Sequence, residues 1–369
     1  MTFNPGLNRV TIANFGGLPD GMAGTLAHEW LATWSIAPQM QAELPLCDLP
    51  RIPSSGKLDI ARLTLERLPR QLLGHGRTRG LSGLVRACGL EVHARKMQAC
   101  GVYPVALNAA LERGDPGTAA FAERLGIALA ATVATLKLAP PESRAARPEW
   151  PEAHWERWRQ VNRIVLGGGV LSGTLGQQLF STACEWLPRL GAADVRLHLF
   201  AQPRHLMLHG AARHYRDGPV LVLDAGHTAI KRAWVEVSGG EVRELRPAPL
   251  LPTPYGISDG QQLLDFLAEA LLETLAGHGQ VEQVAVSLSA HLDRGGSVDP
   301  QAATSSFYGS LAGLALEDVL RERLSTRLGF SCRVRVMHEG QAAVHGLPHM
   351  DAALLLGTSV GGALQETES

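Results

Sequence analysis

The sequence predicts an α/β protein of two domains, and three observations carry that expectation. The chain has 369 residues, more than a single hydrophobic core usually serves. Three glycine-bearing strands stand far apart in it: IVLGGGVL at Ile164 to Leu171, LVLDAGHTAIK at Leu221 to Lys231, and LLLGTSVGGAL at Leu354 to Leu364. Starting with the second, three alternating strands give way to helix, strand, helix, strand, the pattern of a mixed sheet covered by helices.

In chain order, residues 1–60 are turn-rich, with Pro38, Pro45, Pro50 and Pro53, and read as strands and loops. Ile60 to Leu73 has helical spacing. From Pro104 a helical region runs to Leu138, broken at Gly114-Asp115-Pro116. There the glycine ends one helix, and the aspartate before proline caps the next. Ala139 to Trp158, rich in Pro, Arg, Glu and Trp, reads as a surface excursion. A strand at Arg163 to Leu166, the triple glycine, a helix over Leu175 to Leu187 and a strand over Val195 to Phe200 follow. Leu206 to Tyr215 is helical.

Arg216-Asp217-Gly218-Pro219 signals a tight turn and places the domain boundary, giving domains of residues 1–215 and 216–369, the last strand being shared with the first domain. Val220 to Leu223, Ala229 to Val237 and Glu241 to Leu245 alternate as antiparallel strands, with Ser238-Gly239-Gly240 as a hairpin turn. A helix over Gly260 to Ala276, a buried strand over Val281 to Leu288, a helix over Leu314 to Leu328 and a strand over Cys332 to Met337 complete the pattern. That last strand leads into a helix after Glu339.

Bulk composition excludes several classes. A formal net charge of −1 leaves no electrostatic footprint for nucleic acid. No apolar run reaches the residues, about eighteen, that a bilayer span needs, and the first residues lack the layout of a signal peptide, so a cytoplasmic location away from membranes is expected. Five scattered cysteines with no CxxC pair suggest neither a zinc site nor a disulfide framework.

Four constellations carry chemistry. Asp224, at a strand tip beside Gly226, His227 and Thr228, has the form of a carboxylate that orders a hydrated Mg²⁺ while backbone N–H groups face a phosphate. Lys231 adds a positive charge. An ordinary hairpin with a turn aspartate would read the same way. Gly357-Thr358-Ser359-Val360-Gly361-Gly362 is rich enough in glycine for amides to reach phosphate oxygens, though a plain β-turn would also use it. Gly167, Gly168 and Gly169 end a strand and open a helix, where a nucleoside lies directly on backbone; a tight strand-to-helix turn has the same look. Finally, His338 and Glu339 end a strand in VMHEGQAAVHG, placing a carboxylate to take a hydroxyl proton or orient a water. A helix-start glutamate beside the dipole would look alike.

Taken together, these motifs resemble the ROK family (repressor, open reading frame, kinase) of bacterial sugar kinases, within the actin-like ATPase superfamily. DAGHTAIK is similar to the family's DIGGTxxK, and GTSVGGA to its GTGIGGG. Glu112 to Pro140 is similar to its GDP-containing helix pair, and IVLGGGVLSG followed by HGAA to its adenosine motif and closing helix. In that family the acid-tipped strand opens the chain and the triple glycine lies near its end. Here the order is rotated, so the resemblance implies a circular permutant of two actin-like, ribonuclease H-like domains with a nucleotide cleft between them.

The resemblance implies ATP-dependent phosphorylation of a sugar or polyol hydroxyl, with ATP and Mg²⁺ as cofactors and possible dimerisation. Glu339 would be the base, where the family has an asparagine-aspartate pair. Asp224 would order the metal. His338, His28 (in GTLAH, where the family has GEIGH) and Glu91 (in CGLEVHARK) would touch the substrate. The family's CxCGxxGC is absent, which implies no structural zinc, and the proline-glycine after its middle strand is here Ser289-Ala290. A nucleotide hydrolase, or an inactive sugar or nucleotide sensor on the same scaffold, is the alternative.

Overall fold

The computed structural model describes residues 107–145, 150–227, 229–254, 257–293, 296–299, 307–357 and 360–365. These form an α/β structure with two mixed sheets, in two compact units. One unit is His205–Pro348. The other combines the described residues up to Arg204 with those from His349 onward. The readings of residues 1–60 and of Ile60 to Leu73 lie outside the described residues.

The two-segment unit begins with a helix over 107–112 and then α1 (Pro116–Leu138). Asp115 caps α1 as its sequence position suggests, its carboxylate accepting from the Thr118 amide at 2.6 Å with Pro116 opening the helix. α1 is apolar almost all round and is buried accordingly, Leu125, Ile127, Leu129 and Val133 lying in the core.

Residues 139–158 correct the expectation of a surface excursion. Those of them that are described include α2 (Pro141–Ala145) and most of α3 (Glu152–Gln160), and Trp155 and Trp158 are each only 1% exposed. The prolines open helices here and do not break them. Trp150, Trp155 and Trp158 supply an apolar face that joins the core with α1, while Glu152 and Glu156 pair with Arg144 and Arg159 on the outside.

β1 (Arg163–Gly167), α4 (Gly173–Arg189) and β2 (Arg196–Leu199) follow. β1 is the parallel neighbour of β2 on one side. On the other it is the parallel neighbour of β9 (Ala352–Leu356), which turns back antiparallel into β10 (Val360–Leu364). The sheet order is therefore β10-β9-β1-β2, two chain segments side by side in one sheet. Asp351 ties their starts together by accepting from the amides of Asn162 and Arg163 and from the Arg163 guanidinium.

The second unit opens with α5 (Leu206–Ala212), ahead of the Arg216–Pro219 turn, because α5 packs on the strand after that turn. β3 (Gly218–Ala225), β4 (Ala229–Ser238) and β5 (Glu241–Pro247) form the expected antiparallel meander, and β6 (Leu251–Pro252) pairs with the start of β4. α6 (Gly260–Leu275), β7 (Gln283–Leu288), α7 (Leu316–Leu328), β8 (Arg333–His338) and α8 (Glu339–Val344) complete it. β7 runs parallel to β3, and β8 parallel to β7, giving the order β5-β4-β3-β7-β8.

α6 and α7 bury Leu263, Leu267, Leu271, Leu320 and Leu324 against Leu221, Leu223, Val284 and Val286. α5 and α8 pack together with their backbones in close approach. A Cβ built on Gly210 would stand 1.7 Å from the Ala342 carbonyl oxygen, so glycine is required there. Three parallel strands, β3, β7 and β8, thus end at one sheet edge, and their tips carry the candidate site.

Candidate functional site

The His205–Pro348 unit gathers Asp224, Gly226, His227, Lys231, His338 and Glu339 around the tips of β3, β7 and β8. Asp224 ends β3 and is 1% exposed. Its cross-strand partner on β4 is Lys231, and its parallel neighbour on β7 is Ser287. Both partners bond it. The Lys231 ammonium donates to Oδ2 at 2.5 Å and the Ser287 hydroxyl donates to Oδ1 at 2.6 Å. A carboxylate this deep is retained only with such partners.

The turn after Asp224 is pinned by Gly226. Its carbonyl accepts from the Thr253 hydroxyl at 2.8 Å and from the Tyr308 hydroxyl at 2.9 Å. A Cβ on Gly226 would stand 3.0 Å from the Ala229 carbonyl oxygen and 3.8 Å from Lys231 Nζ, so the missing side chain keeps the space beside the ammonium open.

Glu339 follows β8 and is half-buried. The Ser289 hydroxyl, just past β7, donates to its Oε2. Burial pushes the Glu339 carboxyl above its ordinary range. The Ser289 hydrogen bond lowers it, the Asp224 carboxylate raises it further, and Lys231 offsets part of that repulsion. This is the pattern of a base whose pKa is moved toward neutrality.

Three half-buried imidazoles surround this carboxyl pair. His338 caps α8, its Nδ1 accepting from the Gly340 amide at 3.0 Å, and its ring stacks on His291 at 5.7 Å between centroids. Burial pushes His338 down to about 3, helped by the neighbouring His291. Burial likewise pushes His291 down to about 4, against the pull of Asp299, and His227 down to about 4, against its hydrogen bond to the Ser289 backbone. All three are neutral near pH 7.

The sequence reading missed Ser287, and it noted Ser289 only as a departure from a family pattern. A signal was present, however. In VAVSLSA two serines interrupt an apolar run at a spacing of two, the spacing that puts side chains on one face of an extended chain.

The other unit brings together two glycine motifs that lie far apart in the chain. Gly167 pairs with Leu355, and Gly168, at φ +103°, packs so closely that a Cβ would stand 2.2 Å from the Leu356 carbonyl oxygen. The Gly168 amide donates to the Pro203 carbonyl at 2.8 Å. Gly357 directly follows Leu356, and Gly361 lies opposite Leu355 on β10. At Gly169 and Gly357 an added Cβ would meet nothing within 4 Å, so packing within the unit does not account for glycine at either place. Asn108 caps the start of α4 by accepting from the Leu175 amide at 2.8 Å and donating to the Ser172 carbonyl at 3.0 Å. Thr228, Thr358, His28 and Glu91 lie outside the described residues.

At Asp224, expected to order a metal, each carboxylate oxygen accepts from one protein donor, and the cation at Oδ2 is the Lys231 ammonium. Among the described residues no group of three or more His, Cys, Asp or Glu is arranged to hold a metal ion. Among the described residues, too, no helix is long and apolar enough to cross a membrane.

No protein-family model matches the chain, and a search of curated proteins finds no significant match.

Proposed function

We propose that the protein transfers a phosphoryl group from ATP to a hydroxyl of a sugar or polyol, with Glu339 as the general base. The observation that carries this reading is the gathering of two carboxylates, Asp224 and Glu339, at the tips of the parallel strands β3 and β8 with β7 between them, the first neutralised by Lys231 and the second raised by burial. Phosphoryl transfer asks the protein for positioning and charge stabilisation more than for covalent chemistry. Lys231 supplies positive charge at the turn. Ser289 fixes Oε2 of Glu339 and leaves its other oxygen for the acceptor hydroxyl. A carboxyl raised toward neutrality accepts that proton more readily than an ordinary one. No step is assigned to a metal at Asp224; magnesium would enter with the nucleotide.

The glycines of the other unit are assigned to the nucleotide. An added Cβ at Gly169 or Gly357 would meet nothing within 4 Å, which is compatible with a ligand approaching main chain there.

We further infer that the chain is a circular permutant of the ROK order on actin-like domains. The sheet order β5-β4-β3-β7-β8, a meander continued by two parallel strands, supports this reading. So does the insertion of β9 and β10 beside β1, which brings GTSVGG and the triple glycine to neighbouring strand ends.

The test is ADP release from Mg-ATP across a panel of hexoses, N-acetylhexosamines and polyols. Acceptor-dependent turnover is expected, with Glu339→Gln lowering it by about 10²-fold or more. Release that ignores the acceptor would point to a hydrolase. Nucleotide binding without any release would point to a sensor.

A further inference from the structure

Resting on the phosphoryl-transfer reading, we infer that Thr253 and Tyr308 are positioning residues of the turn after Asp224. By holding the Gly226 carbonyl inward they aim the next amide, that of His227, at the nucleotide phosphates. The two residues reach the turn from distant parts of the chain, 27 and 82 residues from Gly226. Thr253 follows β6, and Tyr308 lies in a short 3-10 turn over Phe307–Leu311. Thr253 is 7% exposed and Tyr308 0%. Their hydroxyls converge on one oxygen, donating at 2.8 Å and 2.9 Å, and a carbonyl oxygen has a lone pair for each.

The consequence follows from the geometry of the peptide unit. No cis peptide bond occurs among the described residues, so the unit joining Gly226 to His227 is trans. A trans unit is planar, and its C=O and N–H point in opposite directions. A carbonyl drawn into the core therefore turns the His227 N–H away from the core. Glycine is the residue at which such a unit rotates most easily. Two buried hydroxyls from separate segments remove that freedom, because a rotated unit would take the acceptor from both. An amide already turned toward its anion needs no reorganisation when the anion arrives. The two hydroxyls thus act on phosphate through the backbone.

The experiment compares ADP with adenosine, which lacks the phosphates. Both are measured on the full chain with Mg²⁺ present, ADP by calorimetry and adenosine by displacement of a fluorescent ADP. Thr253→Val and Tyr308→Phe keep the shape of each side chain and remove its hydroxyl. They are made singly and together, and melting curves report folding. The double variant should bind ADP about tenfold more weakly, with its adenosine constant within about twofold of wild type. Each single variant should show the same selective loss at about threefold, and Thr253→Ser should retain wild-type affinity. A contact that only supports the fold would weaken both ligands alike or neither. Either result in the folded double variant, or in Tyr308→Phe should the double variant not fold, overturns the inference and leaves phosphoryl transfer standing. Absence of ADP binding to the wild-type chain sinks this inference together with the nucleotide reading.

Discussion

Acidification should unfold the His205–Pro348 unit by a mechanism written in its three neutral imidazoles. His338 is held down to about 3, and His291 and His227 to about 4, all by burial first. An unfolded histidine titrates near 6.5. Below that pH the unfolded chain binds protons that the native unit refuses. These groups therefore contribute stability that is complete above about 6.5 and is lost as pH falls toward 4.

Each histidine is worth about 1.4 kcal/mol per pH unit in that window. Glu339 acts in the opposite sense. Its folded pKa is raised, so the native state gains a proton before the unfolded chain does, and acidification through that value favours the fold. The three imidazoles together give about 4 kcal/mol per pH unit, which Glu339 offsets in part and which His209 and His214, also pushed down by burial, reinforce. From pH 6 to pH 5 that is a large share of a stability of about 5–15 kcal/mol.

Hydrogen exchange of β3 and β7 peptides in graded urea, read by mass spectrometry between pH 5 and 7, isolates this unit. His338→Asn keeps a side chain able to cap α8 and should reduce the slope by about 1.4 kcal/mol per pH unit. A wild-type slope under about 1 kcal/mol per pH unit, or one that His338→Asn leaves untouched, would refute the reasoning.

Two further outcomes follow from single contacts. Ser289→Ala frees Oε2 of Glu339 and should lower kcat by about tenfold, the scale of one charge-assisted hydrogen bond, with KM for ATP little changed and with rescue by Ser289→Thr; a fall in KM-dependent terms alone would assign Ser289 to binding. Gly168→Ala puts a methyl 2.2 Å from a carbonyl oxygen at a φ that disfavours side chains, and should cost about 3 kcal/mol or more in urea denaturation; a loss under about 1 kcal/mol would show that β1 and β9 are not locked at that point.

Much of the fold was legible because the chain announces its strands. Runs such as LVLDA and QVAVSL are apolar and short, and a hairpin glycine pair marks the β4–β5 turn. The helices over Pro141–Ala145 and Glu152–Gln160 were hidden by composition. Charged residues outnumber the tryptophans there, and only their spacing, Trp155 to Trp158 on one helical face, reveals the buried side. The carboxylates were visible as acids at strand tips. Their partners were not, since the spacing of Ser287 and Ser289 says that they share a face but not which strand stands beside them. Register supplies that: Ser287 lies next to Asp224, and Lys231 lies across from it.

The same register changes the meaning of Lys231. Read along the chain, the lysine seven residues after an aspartate is one more positive charge near a phosphate turn, and the aspartate is free for a metal. Folded into a hairpin whose glycine turn closes tightly, the two become a cross-strand pair, and the aspartate's second oxygen goes to Ser287. A buried acid bonded at both oxygens holds its neighbour in place, and the lysine is the more exposed of the two. The glycines divide by the same test. Gly168 and Gly210 are glycine because backbone stands where a side chain would go, whereas Gly169 and Gly357 face open space. These two positions lie where β1 and β9 end.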